Sequence, residues 1–171
     1  MSLKFISNEQ LFKEAIEPIA KAKSFVWIGT ADIKDMHIPF GGRVTSFLSL
    51  LNDLCKKRVE IRLLHAKEPG PHFRNSYDKY PLLLERLERQ LCPRVHFKLI
   101  IIDGKLAYTG SANLTGAGLG IKGKNTRNFE SGIITSDPAL VEQIMKQFDE
   151  VWMGKHCRSC QRKQYCGDPI K

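Results

Sequence analysis

The sequence lacks the features that would place the protein in or across a membrane. No apolar run approaches the ~18 residues of a membrane-spanning helix, and residues 1–7 contain no apolar core of a signal peptide. We therefore expect a soluble, cytoplasmic protein. In that reducing compartment the five cysteines should not form disulfides, so clustered cysteines predict metal binding instead.

Acidic residues are few relative to basic ones: 27 Lys and Arg stand against 18 Asp and Glu, a formal net charge of +9. Such an excess favours polyanionic partners, nucleic acid before anionic lipid, through long-range attraction and counterion release. Many small basic proteins are merely soluble, so the charge alone decides little. The length of 171 residues suits one domain with its own core and a short appendage.

Helix-like and strand-like patterns alternate along the chain, which predicts an α/β domain. The patterns predict helices over residues 8–22, from 41 through 55, over 81–91 and over 138–152, with strands over 24–29, 59–64, 95–102, 106–109 and 129–135. The stretches 67–80 and 116–128 are predicted loops, the second one mobile. Asp103-Gly104 predicts a tight hairpin. Composition changes after residue 153, which predicts a folded domain over 1–153 and a basic, cysteine-rich tail over 154–171.

The most informative stretch begins at His96 and Lys98, which interrupt an otherwise apolar strand. Because side chains alternate along a strand, both should project to one face while Phe97 points to the other. An imidazole and an ammonium are costly to bury unless a ligand or another group satisfies them. Ser111 and Asn113 follow the returning strand and add neutral donors. One nucleophile or base, one fixed positive charge and several neutral donors suit a phosphodiester substrate.

The whole pattern reads H-x-K-x4-D-x6-G-S-x-N between His96 and Asn113. It resembles the signature of the phospholipase D superfamily at every defined position. Asn128-Phe129-Glu130 is similar to the family's downstream acidic element, and Val151-Trp152 ends a helix similar to its carboxy-terminal one. Residues 5–153 resemble the small single-motif bacterial endonucleases of this superfamily. The resemblance implies a phospholipase D-type α/β sandwich, with a mixed β-sheet flanked by helices.

The resemblance also implies roles for the residues of the motif. His96 would attack phosphorus and form a phosphohistidine, which divides one displacement into two steps. Lys98, Ser111 and Asn113 would hold the phosphoryl oxygens. Glu130 would orient His96 and fix its tautomer. The resemblance implies no catalytic metal.

Two parts of the motif need separate interpretation. Asp103 belongs to the family pattern, but we expect it to brace the corner of the hairpin. The reaction needs a second histidine to protonate the leaving oxygen, and this chain has one complete motif. His65-Ala66-Lys67 repeats only the first spacing, and we interpret it as a coincidence. The second histidine should therefore be His96 of another subunit, which predicts a homodimer with a shared active site.

A basic loop follows the motif and contains Lys122, Lys124 and Arg127. Its pattern Gly118-x-Gly120-x-x-Gly123 formally matches a dinucleotide fingerprint, but it does not join the first strand and helix of a βαβ unit. We interpret it as a flexible basic loop. Contact of the three cations with a polyanion backbone and simple solvation of the loop are equally consistent with the sequence.

The tail contains three cysteines in ten residues, Cys157, Cys160 and Cys166, which predicts a metal ligand set that still needs a fourth member. The spacing resembles the carboxy-terminal triplet of iron–sulfur RecB-family nucleases. Cys92, in a predicted loop, is the candidate fourth ligand, whereas Cys55 fits the core face of its helix. His156 is an alternative fourth ligand that would favour zinc. We expect a structural iron–sulfur cluster or zinc here, against reactive or disordered thiols.

The sequence therefore predicts a homodimeric nuclease that hydrolyses phosphodiester bonds of DNA or RNA through a phosphohistidine. A phospholipid headgroup hydrolase or phosphatidyl transferase is the second hypothesis, although the chain shows no amphipathic membrane helix. The third is a nucleic-acid-binding or redox-sensing module with an idle site. The intact motif argues against this third hypothesis.

Overall fold

A seven-stranded mixed β-sheet lies at the centre of the protein in the computed structural model, which describes residues 2–167. In chain order the strands of these residues are Leu3–Ser7 (β1), Phe25–Thr30 (β2), His37–Phe40 (β3), Arg43–Ser46 (β4), Glu60–His65 (β5), Leu87–Leu91 (β6), Lys98–Ile102 (β7), Leu106–Gly110 (β8) and Ser131–Thr135 (β9). The sheet has the order β1-β9-β8-β7-β2-β5-β6, and β3 and β4 form a separate hairpin. Strands β2, β5 and β6 run parallel, and the remaining neighbours are antiparallel.

Four α-helices accompany the strands in the described residues. They are Phe47–Lys56 (α1), Pro71–Tyr77 (α2), Pro81–Arg86 (α3) and Pro138–Trp152 (α4). Helix α4 begins as predicted, because the Asp137 side chain accepts hydrogen bonds from the first-turn amides of Ala139 and Leu140 and Pro138 fits the first position. No helix within residues 2–167 is long and apolar enough to cross a lipid bilayer.

Apolar side chains cover both faces of the sheet. One face, with Val26 and Ile28, packs on the larger core formed with α1 and the helical turns of residues 12–21. The other face packs on α4, where the rings of Trp27 and Phe148 stack with centroids 5.1 Å apart. Phe97 belongs to this second side, as the alternation along the strand predicts. The predicted fold, a mixed sheet flanked by helices, is confirmed.

Several predicted element types were wrong where tertiary pairing outweighs local pattern. The predicted helix over 81–91 ends at Arg86, because Leu87–Leu91 adds a parallel strand beside β5. Gly41 and Gly42 form the turn of the β3–β4 hairpin, with φ of 62° and 75°, and do not open a helix. The stretch 67–80 was predicted as a loop because it is rich in loop-forming residues, but it contains helix α2.

Other predictions hold in type but differ in detail. The predicted helix over 8–22 is a π-helical turn, Phe12–Ile16, followed by a 3-10 turn, Glu17–Lys21, and its periodic apolar positions are buried. The strand predicted over 95–102 is paired only from Lys98, and the one predicted over 129–135 only from Ser131. The Asp103-Gly104 hairpin is confirmed, with φ of 53° and 63°.

Candidate active site

His96 and Lys98 lie side by side at the start of β7. The Lys98 ammonium donates a hydrogen bond to the His96 carbonyl oxygen at 2.8 Å and lies 3.3 Å from Nδ1 of the His96 ring. His96 precedes the paired strand and is exposed, whereas Lys98 is its first residue and only 8% exposed. The predicted proximity of imidazole and ammonium is therefore present, although only one of the two residues is in the sheet.

Among residues 2–167 the Lys98 ammonium has no counter-ion. No carboxylate lies within 4.0 Å of its ammonium in the part of the chain that the structure describes. Burying an ammonium without an opposite charge is unfavourable. An anion bound beside His96 would recover that cost. The pair therefore forms a site suited to a phosphate group.

Ser111 follows β8, the neighbour of β7, and lies close to Glu130. Its hydroxyl donates to the Glu130 carboxylate and accepts the Ser131 amide at 3.1 Å. The other Glu130 oxygen accepts from the Asn128 side chain at 3.1 Å. Glu130 precedes β9, so β8 separates it from the start of β7. Within one chain the carboxylate therefore contacts Ser111 and Asn128, and its role in orienting His96 stays a prediction.

Asn113 is held by residues that sequence reasoning did not single out. Its Oδ1 accepts the backbone amide of Asp32 at 3.2 Å, which leaves the Nδ2 group to donate elsewhere. The buried Thr30 hydroxyl accepts the amide of Leu114 at 3.1 Å and donates to the Asp32 carbonyl at 2.8 Å. The carboxyl end of β2 thus positions the Gly-Ser-x-Asn turn. The sequence signal for this role was Thr30, a hydroxyl side chain at the end of the short apolar strand β2.

Asp103 lies at the opposite end of β7 from His96. Its carboxylate accepts the amides of Ser24 at 2.7 Å, Lys23 at 2.9 Å and Phe25 at 3.0 Å. Partial burial raises the pKa of Asp103, but the three amides and the nearby positive charge of a lysine outweigh it and hold the pKa below its ordinary value. The carboxylate fastens the β7–β8 hairpin to the start of β2, far along the sheet from the phosphate site.

Tyr108 lies beneath the turn that carries Ser111. Burial raises the pKa of the Tyr108 hydroxyl to about 12, although the nearby backbone of Ala112 lowers it in part. A Cβ on Gly110 would lie 2.4 Å from that hydroxyl, and a Cβ on Gly132 would lie 2.4 Å from the ring. These two glycines are therefore required by close packing. Tyr108 was missed because it reads as an ordinary strand residue.

The sequence from residue 15 to residue 152 matches the family of cardiolipin synthase, PLD-like (phospholipase D-like) domains. The chain belongs to this family. A mitochondrial cardiolipin hydrolase of Chlamydomonas reinhardtii is 28% identical over 101 residues, 58% of this chain and 43% of that protein. The probable cardiolipin synthase YwiE of Bacillus subtilis (strain 168) is 28% identical over 140 residues, 78% of this chain and 25% of that protein. This PLD-like chain therefore spans less than half the length of these curated relatives.

Two solved structures share the fold of this PLD-like domain. NucT from Helicobacter pylori superposes with a TM-score of 0.65 at 15% identity, over 89% of this chain and 97% of that one. Nuc from Salmonella typhimurium, a phospholipase D family member, gives 0.63 at 16% identity, over 89% and 94%. Together with the family match, they confirm the predicted superfamily and fold.

The basic loop of the PLD-like domain is more tightly held than predicted. Lys122 and Lys124 are exposed, but the Arg127 guanidinium is mostly buried and pairs with Glu9 at 2.7 Å. Arg127 thus braces the loop and is not available as the predicted substrate contact. The glycine pattern has a packing cause, because a Cβ on Gly120, where φ is 70°, would lie 2.5 Å from a backbone oxygen.

The second H-x-K spacing has a different setting. His65 ends β5 and is 1% exposed, and its Nδ1 lies 2.8 Å from the Lys67 carbonyl oxygen. Burial is the largest influence on this ring and lowers the pKa of His65. The ring is therefore neutral near pH 7 and is buried at the end of β5, where His65 is the register partner of Thr30 on β2.

The cysteines of the tail lie near Cys92 without forming a closed ligand set. Cys92, His156, Cys157 and Cys160 line one cavity of about 350 Å³, and the Cys166 thiol lies 3.8 Å from the Leu91 carbonyl oxygen. Within residues 2–167 no three His, Cys, Asp or Glu side chains are gathered closely enough to hold one metal ion. The sequence-predicted metal site thus remains a proposal.

Proposed function

We propose that the protein is a phosphodiesterase that cleaves nucleic acid through a phosphohistidine, in an active site completed by a second copy of the chain. The observation that carries this proposal is the buried Lys98 ammonium, which has no counter-ion in the described residues and lies beside the exposed His96 ring. The Asn113 Nδ2 group adds a neutral donor, and the Ser111 hydroxyl, which donates to Glu130, lies on the neighbouring turn. The family match supports phosphodiester chemistry.

The proposed reaction has two displacements at phosphorus. A ring nitrogen of His96 attacks, a P–N bond forms, and the P–O bond to the leaving group breaks. A second histidine gives a proton to the leaving oxygen. That histidine then takes a proton from water, whose oxygen attacks phosphorus while the P–N bond breaks. Lys98 stays charged throughout and stabilises the negative oxygens of both transition states.

A second copy is proposed because the chain supplies one histidine in this setting, whereas the reaction uses two. An exposed apolar surface lies along the edge strand and the segment before β9: Phe129, next to Glu130, is 92% exposed, and Phe5 on β1 is 68% exposed. Phe5 pairs with the exposed Ile133, and Leu3 lies two residues along on the same side of β1. Exposed apolar patches of this kind mark interaction sites. We assign this surface to the dimer contact.

The dimer contact is tested by sedimentation of purified protein. The double variant Phe5→Ser/Phe129→Ser should be monomeric and lose most of its activity, because each site would lack its second histidine. Leu84→Ser, an exposed apolar residue on α3, is the matched control and should remain dimeric and active. A monomeric wild-type protein with full activity would contradict the shared site.

Nucleic acid is preferred as substrate because of the net charge of +9 and because Lys122 and Lys124 are exposed on the basic loop. Removing one lysine that binds a phosphate lowers the salt dependence of binding by about one unit of slope. Lys122→Ser/Lys124→Ser should therefore reduce the slope of log Kd against log salt by about two. Lys57→Ser/Lys79→Ser removes the same charge at other exposed positions and should change the slope less.

Phospholipid is the second candidate substrate, favoured by the likeness to a cardiolipin hydrolase and a probable cardiolipin synthase. Single-stranded DNA, duplex DNA, RNA and cardiolipin vesicles should be assayed side by side, with His96→Ala as the inactive control. We expect turnover of a nucleic acid and none of cardiolipin. Turnover of cardiolipin alone would replace the nuclease proposal, and binding without turnover of any substrate would support an idle site.

A further inference from the structure

The carboxy-terminal tail turns back on α4 directly after the helix ends. Gly154 has φ of 69°, and its amide donates to the Val151 carbonyl at 3.1 Å, a left-handed cap that reverses the chain. Lys155 then pairs with Glu150 at 2.6 Å. The tail is thereby directed along the side of the domain towards the segment that joins β6 to β7.

The tail has almost no apolar surface with which to hold this position. None of residues 153–167 is buried, and the half-buried ones are Gly154, Cys157, Cys160 and Cys166. Apart from the surface pairs that Lys155 and His156 make with Glu150, the half-buried cysteines are the tail side chains that lie closest to the domain. A segment without a buried core usually depends on a cross-link or a metal for its structure. The positions of the thiols are therefore the feature to explain.

All three tail thiols approach the segment around Cys92. Cys157 and Cys160 line the 350 Å³ cavity together with Cys92, and Cys166 contacts the carbonyl of Leu91, the residue before Cys92. Cys55, by contrast, is 0% exposed in the core. Cys92, Cys157 and Cys160 thus border one cavity and Cys166 lies beside Leu91, whereas Cys55 is separate.

The turn that contains Cys157 and Cys160 has the local hydrogen bonds of a ligand loop. The Cys160 amide donates to the Cys157 carbonyl at 3.1 Å, and the Arg162 amide donates to the Cys160 sulfur at 3.4 Å. Hydrogen bonds from backbone to sulfur are among the outer contacts that orient metal ligands. The two-residue spacing is also that of thiolate ligand pairs.

We propose that Cys92, Cys157, Cys160 and Cys166 bind one thiophilic metal centre, a zinc ion or an iron–sulfur cluster, that joins the tail to the segment before β7. Four thiolates complete the coordination of either centre. Binding draws the tail thiols inward across the cavity towards Cys92. Because Cys92 lies four residues before His96, the centre also anchors the segment that carries the proposed nucleophile.

The first test is the metal content of full-length protein purified without oxygen. We expect either one zinc per chain, or iron with an equal amount of acid-labile sulfide and a visible absorption band, and the two results distinguish the centres. Each of Cys92→Ser, Cys157→Ser, Cys160→Ser and Cys166→Ser should lose most of the metal. Cys55→Ala removes a thiol from the core and should keep it.

A second measurement does not depend on how well the variants fold. Native wild-type protein is treated with an alkylating reagent before and after a chelator, and the labelled cysteines are mapped by mass spectrometry. Cys92, Cys157, Cys160 and Cys166 should be protected together and released together by the chelator. The proposal is overturned if wild-type protein holds no stoichiometric metal even after anaerobic reconstitution with zinc or with iron and sulfide. Full metal retention in Cys92→Ser would also overturn it.

Discussion

Replacing Asp103 by Asn tests how the hairpin that carries the motif is anchored. Asn has nearly the same shape and tolerates the positive φ of 53° at this position. Its single carbonyl oxygen can still accept from the amides of Ser24 and Phe25, which both bond Oδ1. Its NH2 group would face the amide of Lys23, which now donates mainly to Oδ2 at 2.9 Å and lies farther from Oδ1, at 3.2 Å. The variant thus loses one charge-assisted hydrogen bond and places donor against donor.

The expected loss in free energy of unfolding is about 1–2 kcal/mol at pH 7. A hydrogen bond to a charged group contributes ~1.5–3 kcal/mol, and solvent around Lys23 and Ser24, both exposed, reduces this figure. Urea unfolding followed by tryptophan fluorescence measures the difference between wild type and Asp103→Asn. Asp103→Ala, which loses all the amide bonds and places Ala in the left-handed region, should lose more.

The loss should also depend on pH with a defined sign. The lowered pKa of Asp103 in the folded state stabilises the protein at pH values above the unfolded pKa, about 3.9. That contribution disappears as the pH falls through the folded pKa. The gap between wild type and Asp103→Asn should therefore narrow in acid. Equal stabilities at pH 7, or a gap that widens in acid, would refute the anchoring role.

Two further substitutions test the packing and the support of the site. Gly132→Ala should lower the free energy of unfolding by ~1–3 kcal/mol, because the new Cβ would lie 2.4 Å from the Tyr108 ring. Gly70→Ala is the control, because nothing lies within 4 Å of its new Cβ. Similar melting temperatures for the two variants would contradict close packing at Gly132. Thr30→Val should lower the free energy of unfolding by ~1–3 kcal/mol and slow turnover, because it leaves the Leu114 amide without its acceptor. Unchanged urea midpoints and turnover rates would show that the hydroxyl is dispensable.

The fold could be predicted from sequence where local pattern and tertiary structure agree. The Asp103-Gly104 turn and the start of α4 are specified by the conformational preferences of a few adjacent residues, and both were confirmed. Strand β6 could not be predicted, because its residues follow a helix without a break and become a strand only beside β5. Gly41-Gly42 indicates a turn, but it does not show whether a helix or a strand follows. In the structure it joins the two strands of a hairpin.

In the candidate site, the proximity of His96 and Lys98 could be predicted from the sequence. The contacts of Glu130 and Arg127 could not. His96 and Lys98 are two residues apart in the chain, so their side chains lie close together whatever the rest of the fold. The side chain that Glu130 contacts depends on the order of the strands, because β8 lies between β9 and β7. Strand order is set by the whole sheet and cannot be deduced from the motif alone. Arg127 illustrates the same limit, since its ion pair with Glu9 joins residues distant in sequence.

In the proposed mechanism, His96 becomes covalently bound to phosphorus during turnover. Wild-type protein mixed with excess labelled substrate, quenched within the first turnovers in alkaline denaturant and digested, shows by mass spectrometry where the phosphoryl group is attached. We expect an acid-labile adduct on the peptide containing His96 and none in His96→Ala. Cleavage by His96→Ala at the wild-type rate, or a trapped adduct on another residue, would contradict it.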